Sequence, residues 1–222
     1  MNVIGTKQLL MLRALPVRLY NQVQQVLHPD IKIFVIGFNK CGTRSLHMLF
    51  RKSGIRSAHW GGSDPSRNFA VIMARNLDLK LDILHGLATY TAFSDLSFHS
   101  SESVIEACRL FKHMHNQHPA SYFIYNTRPV EHWVRSRLKH GDISRRAASA
   151  YGCHIDDLPK KWACEFEAHR DDVLSFFLDK PQKLCVLDIE HGDIAEVIRF
   201  LRPHFRIAEP YWEHRGKSTE EH

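Results

Sequence analysis

The sequence predicts an α/β fold, in which a parallel sheet forms the middle of three layers and helices cover both of its faces. Two observations support this class. From residue 31 onward, short apolar and β-branched runs alternate with longer runs whose apolar residues recur at helical spacing. A short glycine-containing loop joins the first such strand to the first such helix. Strands separated by helices pair in parallel, and ligands then bind beyond the carboxyl ends of the strands.

Five short apolar runs are predicted to be strands: Lys32–Ile36, Arg56–His59, Thr91–Ser94, Ser121–Asn126 and Lys183–Leu187. Six longer runs are predicted to be helices: Ser45–Lys52, Arg67–Leu77, Glu102–Asn116, Pro129–Lys139, Leu158–Phe177 and Asp193–Leu201. Gly54 suits the C-cap of the first helix, and Ser101 suits the N-cap of the third. Pro119 is predicted to close the third helix, because proline cannot continue one.

The first 30 residues differ from the rest of the chain in charge, since no acidic residue precedes Asp30. Apolar residues recur there at helical spacing, with one break at Pro16: Leu12, Leu15, Leu19, Val23 and Val26. Basic residues lie alongside this stripe: Lys7, Arg13 and Arg18. We therefore predict an N-terminal amphipathic helical segment over residues 1–30 and an α/β domain over residues 31–222.

Three placements stay open for this N-terminal segment. Polar residues interrupt it too often for it to span a bilayer. It also lacks the continuous apolar run and small-residue cleavage site of a signal peptide. A basic amphipathic helix can lie on a membrane, which would make residues 7–27 a peripheral membrane contact. The alternatives are a transit segment and a helix that packs on the domain.

Composition narrows the compartment and the ligand. The five cysteines are an odd number without a close pair, which is typical neither of a disulfide framework nor of a zinc site. A reducing compartment follows, so we expect a cytoplasmic protein, with membrane association left open. The net charge of +6 favours an anionic ligand. No nucleic-acid partner is predicted, because the basic residues of the second half lack interleaved aromatics and a recognised motif.

A strand, a glycine loop and a helix start follow one another between Ile33 and Phe50, which is how proteins build an anion site. Gly37 and Gly42 have the spacing of a Walker loop. However, Thr43 stands where the Walker lysine belongs, and Arg44 stands where a magnesium-binding hydroxyl belongs. This P-loop-type turn therefore predicts phosphate binding but is a poor NTPase loop.

A second strand–helix pair follows between Tyr122 and Leu138. Its strand ends at Arg128, and Pro129 suits the first turn of the helix that carries Ser136. Arginine offers a planar fork of donors to a phosphate, and a hydroxyl from the next helix adds another donor.

These two stretches resemble the sulfotransferases that use 3′-phosphoadenosine 5′-phosphosulfate (PAPS). In that family a lysine precedes a Gly-Thr pair by one residue, as Lys40-Cys41-Gly42-Thr43 does, and it contacts the oxygen that bridges phosphate and sulfate. An arginine at a strand end and a serine eight residues later grip the 3′-phosphate, which is the spacing of Arg128 and Ser136. The resemblance covers Lys32 to Leu201 in element order and implies sulfuryl transfer without a required metal.

The resemblance implies a set of cofactor-binding residues: Asn39, Lys40, Cys41, Gly42, Thr43, Arg44, Ser45, Arg128, Ser136 and Arg215. Lys40 is also the candidate catalytic cation, because sulfuryl transfer builds negative charge on the leaving phosphate oxygen. Arg44 departs from the family, which usually has a small hydroxyl residue there. Arg215 lies in a stretch that matches only part of the family's later cofactor loop.

Two residues are candidates for the catalytic base, and the resemblance does not choose between them. His59 ends the second predicted strand and Asp95 ends the third, so both are expected at the mouth of the site. If His59 acts, activity is expected to rise with pH through about 6.5. If Asp95 acts, the rise in activity is expected at a lower pH, unless burial raises the pKa of Asp95.

The leading hypothesis is a PAPS-dependent sulfotransferase that acts on a hydroxyl or amine. A P-loop kinase of another type and a non-catalytic nucleotide-binding protein of the same fold are the alternatives. No pattern selects the acceptor, so a small molecule, a glycan and a lipid all stay open. The oligomeric state is not predicted.

Overall fold

The computed structural model describes residues 15–213, which form a three-layer α/β structure around a five-stranded parallel sheet. The sheet has the order β2-β3-β1-β6-β7, and its strands are β1 Ile33–Val35, β2 Ser57–His59, β3 Ala92–Ser94, β6 Tyr122–Thr127 and β7 Leu184–Asp188. A separate antiparallel hairpin pairs β4 Ser97–His99 with β5 Val104–Glu106.

The described residues contain eight α-helices: α1 Val17–Leu27, α2 Thr43–Lys52, α3 Phe69–Asp78, α4 Phe111–Gln117, α5 Val130–Leu138, α6 Ile143–Tyr151, α7 Leu158–Phe176 and α8 Ile194–Leu201. Short 3₁₀ turns occupy Ala107–Leu110, Ile155–Asp157, Pro181–Lys183 and Glu209–Tyr211. This architecture confirms the predicted fold class.

The central strand β1 is buried on both faces, and a hydrophobic cluster lies on each face of the sheet. The Phe34 ring stacks on Phe93 and Phe123 from the neighbouring strands, at 5.6 and 5.3 Å between ring centroids. Ile33 and Val35 point to the opposite face, because side chains alternate along a strand, and there they join the cluster that contains Leu46 and Phe50 of α2. A strand so enclosed reads as a continuous apolar run in the sequence.

The helix predicted over Glu102–Asn116 is wrong in its first half. Val104–Glu106 is strand β5 instead, and only Phe111–Gln117 is α-helical. The β-branched pair in β5 suits a strand, and Ser100 closes the hairpin turn by accepting a hydrogen bond from the Ser103 amide at 3.0 Å. Ser101 therefore lies in this turn and is not an N-cap. Strand β4 and helix α6 were not predicted.

The other predicted elements lie within two residues of their observed bounds. Gly54 follows the C-cap residue Ser53 and has the left-handed φ of 82°. Pro129 is the N-cap of α5, so it precedes the first helical turn. α4 ends at Gln117, two residues before Pro119.

Helix α1 lies against the α/β domain through buried amide side chains, those of Asn21, Gln24 and Gln25. The described residues include no helix with the length and apolar character needed to cross a membrane. Part of the predicted N-terminal segment, residues 1–14, lies outside the described residues, and the division of the chain at residue 30 stays a prediction.

A buried charge cluster fastens the β4–β5 hairpin to α5. The Arg137 guanidinium lies between the rings of Trp133 and Trp162, 4.9 and 4.7 Å from their centroids. It donates to Glu106 Oε1 at 2.5 Å, and His99 Nε2 lies 3.0 Å from the same oxygen. Burial alone would raise the pKa of Glu106, but Arg137 and His99 outweigh it and lower that pKa to about 2.

Substituting Glu106→Gln is expected to lower the free energy of unfolding by about 3–5 kcal/mol at pH 7, because it leaves the buried Arg137 charge without a negatively charged partner. The stabilisation by Glu106 is present above its ordinary pKa of 4.5 and is lost as the pH falls toward 2. Urea unfolding at several pH values measures this, with the exposed Glu102→Gln as control. Equal stability losses in the two variants, or a loss at Glu106 that does not shrink below pH 4.5, would contradict it.

Candidate active site

A cleft of about 1840 Å³ opens at the carboxyl ends of the parallel strands. Every described residue of the predicted site lines it except Cys41, which is fully buried. The lining members are Asn39, Lys40, Gly42, Thr43, Arg44, Ser45, His59, Asp95, Arg128 and Ser136. Arg215 lies outside the described residues. The structure thus brings these side chains to one place, while their roles stay predictions.

Side chains from β6, α5 and the turn between them fix the loop that joins β1 to α2. Three consecutive loop carbonyls accept hydrogen bonds from these side chains. Trp133 Nε1 donates to Asn39 O at 2.8 Å, and Arg128 donates to Lys40 O at 3.0 Å. Asn126 Nδ2 donates to Cys41 O at 2.7 Å. In a planar trans peptide the N–H points away from the C=O. The N–H groups of Lys40, Cys41 and Gly42 therefore face the side opposite to these donors, as an anion-binding loop requires.

Two glycines allow this loop geometry. A Cβ at Gly37 would lie 1.8 Å from the carbonyl oxygen of Asn126, so only glycine lets the end of β1 approach β6 so closely. The Gly37 amide donates to the Asn126 side chain at 2.8 Å. Gly42 has a φ of 75° and is the N-cap of α2, where it offers no capping side chain. The first turn of α2 therefore presents uncapped N–H groups and the positive end of the helix dipole.

Backbone strain concentrates at the cleft. Four non-glycine residues in the described part of the chain have a positive φ. Three of them line the cleft: Lys40, Trp60 and Asp95. Such conformations are costly and tend to persist at functional sites. Burial lowers the pKa of the half-buried Lys40 ammonium, while the negative charge of Asp95 acts to raise it.

The predicted 3′-phosphate pair lines the same cleft, but Arg128 already has a partner. Its Nε donates to Glu190 at 2.7 Å, and its NH2 also pairs with this carboxylate. Glu190 in turn lies 2.7 Å from His132 Nδ1. A phosphate at Arg128 would therefore compete with Glu190. Sequence reasoning missed Glu190, which follows β7 and belongs to no motif. Ser136 is buried on α5.

The hydrogen bonds around His59 identify the nitrogen that can accept a proton. The Ser94 hydroxyl donates to the carbonyl of Ala58 at 3.3 Å, so its oxygen accepts from His59 Nδ1–H at 3.1 Å. The lone pair of neutral His59 is then on Nε2, which lies 3.6 Å from Asp95 Oδ2. Asp95 is held through Oδ1 by the Ser97 hydroxyl at 2.7 Å.

The two candidate bases have shifted pKa values. Burial lowers the pKa of His59 to about 4, and Arg44 adds to this. Burial raises the pKa of Asp95. If His59 is the base, activity is therefore expected to rise with pH through about 4 and not through 6.5. If Asp95 is the base, the rise is expected at a higher pH than for an ordinary aspartate. His59 is neutral, and able to accept a proton, throughout the neutral range.

His47 is a further cleft residue that sequence reasoning missed. Its ring stacks on His59 at 4.9 Å between centroids, and its Nδ1 lies 2.9 Å from Ser57 Oγ. Burial, then the neighbouring His59, lowers its pKa to about 4. One face of α2 lines the cleft with Arg44, His47 and Arg51 at helical spacing. This spacing from Arg44 could have predicted from the sequence that His47 lines the cleft. The exposed Arg44 thus lies near the candidate base.

No group of three or more His, Cys, Asp or Glu side chains within residues 15–213 is arranged to hold a metal ion. Lysine and arginine side chains supply positive charge to the cleft, in addition to the N–H groups of the loop and of the start of α2.

Nuclear magnetic resonance titration of the histidine rings is expected to show His47 and His59 protonating near pH 4. Arg44→Gln should raise both pKa values, because it removes a positive charge that disfavours the imidazolium forms. Arg145→Gln, which removes an arginine outside the cleft, should change neither. Titration of His59 near or above pH 6.5 in the unaltered protein would contradict the placement of Arg44 and the burial of the ring.

Comparison with protein-family models matches residues 32–183 to the family described as the sulfotransferase domain. The match spans 152 of the 222 residues, from residue 32 to residue 183 inclusive, and it contains both strand–helix stretches that form the cleft. A search of curated proteins returns no match to the chain.

Proposed function

The chain belongs to the sulfotransferase domain family, and from this we propose that it transfers a sulfuryl group from PAPS to a hydroxyl or amine. The observation that carries the proposal is the meeting of the Lys40 loop with Arg128 and Ser136 in one cleft. A nucleotide with phosphates at both its 5′ and 3′ positions needs two anion sites. The loop amides and the start of α2 supply the first, and Arg128 with Ser136 supplies the second.

The proposed reaction forms one bond to sulfur and breaks another. The acceptor oxygen or nitrogen attacks the sulfur of PAPS, and the bond from sulfur to the bridging phosphate oxygen breaks. The products are the sulfated acceptor, 3′-phosphoadenosine 5′-phosphate (PAP) and a proton. Lys40 stabilises the negative charge that develops on the bridging oxygen. No metal ion is needed in this scheme, since the lysine and the loop amides balance the charge.

His59 is the better arranged of the two candidate bases. Its Nδ1–H is engaged by Ser94, which leaves Nε2 as an acceptor at the cleft, and its low pKa keeps the ring neutral. Asp95 lies 3.6 Å from that nitrogen and would stabilise the imidazolium after proton transfer if it is ionised. Asp95 stays the alternative base, because burial raises its pKa and so increases its basicity.

A P-loop kinase is the less favoured proposal, since Thr43 and Arg44 occupy the Walker positions of the lysine and the magnesium-binding hydroxyl. A nucleotide-binding protein without catalysis would share the cleft but would not turn over PAPS. The acceptor is proposed to be a small molecule, a glycan or a lipid, and not a nucleic acid.

Lys40→Ala is expected to lower turnover by about 10²–10³-fold while it changes PAP affinity much less, since the ammonium acts mainly when the bridging bond breaks. Turnover is measured as PAPS consumed in the presence of phenol, sugar and amine acceptors. Lys139→Ala, which removes another cleft lysine, is the matched control. Weaker PAP binding with unchanged turnover would show Lys40 to be only an anion anchor.

Arg128→Ala is expected to weaken PAP binding by about 1.5–3 kcal/mol, the range for a charged hydrogen bond. AMP binding should weaken by less, because AMP loses only the support that Arg128 gives to the loop through the Lys40 carbonyl. Glu190→Gln should instead strengthen PAP binding, because it removes the carboxylate that competes for Arg128. Isothermal titration calorimetry of both variants with both nucleotides measures this. Equal losses for PAP and AMP in Arg128→Ala would remove the 3′-phosphate assignment.

A further inference from the structure

Helix α1 is attached to the domain through its polar face. The Asn21 amide donates to the carbonyls of Ser53 at 2.7 Å and of Arg206 at 2.6 Å. The Gln25 amide donates to the Gly54 carbonyl at 3.0 Å, and its oxygen accepts from the Arg56 amide at 2.8 Å. Both side chains are almost completely buried, at 0% and 3% exposure. These hydrogen bonds fix the rotation of the helix about its own axis.

The opposite face of α1 is apolar and exposed. Leu19, Val26 and Leu27 are 45%, 76% and 47% exposed, and they lie seven and eight residues apart along the helix, on one side of it. An amphipathic helix on a globular domain normally turns its apolar face to the core and its polar face to water. α1 does the reverse, because its amides, not its leucines, are matched to the domain surface.

The sequence that leads up to this face carries positive charge. No acidic residue precedes Asp30, and Lys7, Arg13 and Arg18 lie in or before the helix. Arg18 itself is exposed on α1, next to Leu19. A second copy of this chain would bring the same basic groups together, which is unfavourable for a chain with a net charge of +6. A surface that combines negative charge with apolar depth complements both properties of the face.

We propose that the exposed face of α1, formed by Leu19, Val26 and Leu27, docks on an anionic lipid membrane surface. The apolar side chains enter the boundary between headgroups and acyl chains, while the exposed Arg18 contacts anionic headgroups. Because α1 is held to the domain by buried amides, docking brings the whole α/β domain to the bilayer. The inference does not depend on the proposed sulfuryl transfer.

Co-sedimentation of the full chain with vesicles tests this proposal. The protein is expected to sediment with vesicles of phosphatidylcholine mixed with phosphatidylserine, more weakly with phosphatidylcholine alone, and less as salt is added. The double variant Leu19→Gln, Val26→Gln should bind the mixed vesicles roughly tenfold more weakly, since it removes apolar groups that are exposed to solvent and leaves the buried amides in place.

The control double variant Leu174→Gln, Leu178→Gln changes exposed leucines at the end of α7, and it should bind the mixed vesicles like the unaltered protein. Three results would overturn the proposal. They are absence of binding by the unaltered protein, equal binding by the α1 variant, and a concentration-dependent dimer in light scattering that the α1 variant abolishes. The last result would assign the face to a second copy of the chain.

Discussion

The hydrogen bonds that pin the loop carbonyls of residues 39–41 are the interaction on which the rest of the site depends. A flexible glycine loop has many conformations, and few of them turn successive N–H groups to one side. Here Trp133, Arg128 and Asn126 select one of them, and each donor belongs to the strand–helix unit that also carries Ser136. The two proposed anion sites therefore share one set of supporting contacts. A shift of β6 or α5 would move the loop and the predicted 3′-phosphate site together.

A polar chain connects this loop to the candidate base. The Asn39 amide lies 3.5 Å from Ser97 Oγ, and the Ser97 hydroxyl donates to Asp95, which faces His59. Ser97 begins the β4–β5 hairpin, which the buried pair of Glu106 and Arg137 holds against α5. The hairpin therefore supports the part of the cleft that contains Asp95. Through Ser97 the hairpin contacts Asp95, whose backbone has the positive φ of 52°.

Local patterns were enough to predict the sheet, the loop and the cleft residues at the strand ends, because an apolar strand followed by a glycine turn is encoded by neighbouring residues. The β4–β5 hairpin was missed because Val104 and Ile105 also fit a helical apolar pattern, and the contact of Glu106 with distant Arg137 decides between the two. Glu190 likewise reaches the site only through the tertiary fold. The face that α1 turns to the domain could not be predicted from its own residues, since their hydrogen-bond partners lie on distant segments.

The central claim is that the cleft is built for a nucleotide with a 3′-phosphate and a 5′-phosphate. Calorimetric titration of the unaltered protein with PAP and with ATP plus magnesium tests it most directly. The account predicts binding of one PAP per chain without magnesium, and much weaker binding of ATP because it lacks the 3′-phosphate that Arg128 and Ser136 recognise. Tight, magnesium-dependent binding of ATP with weak binding of PAP would contradict the account.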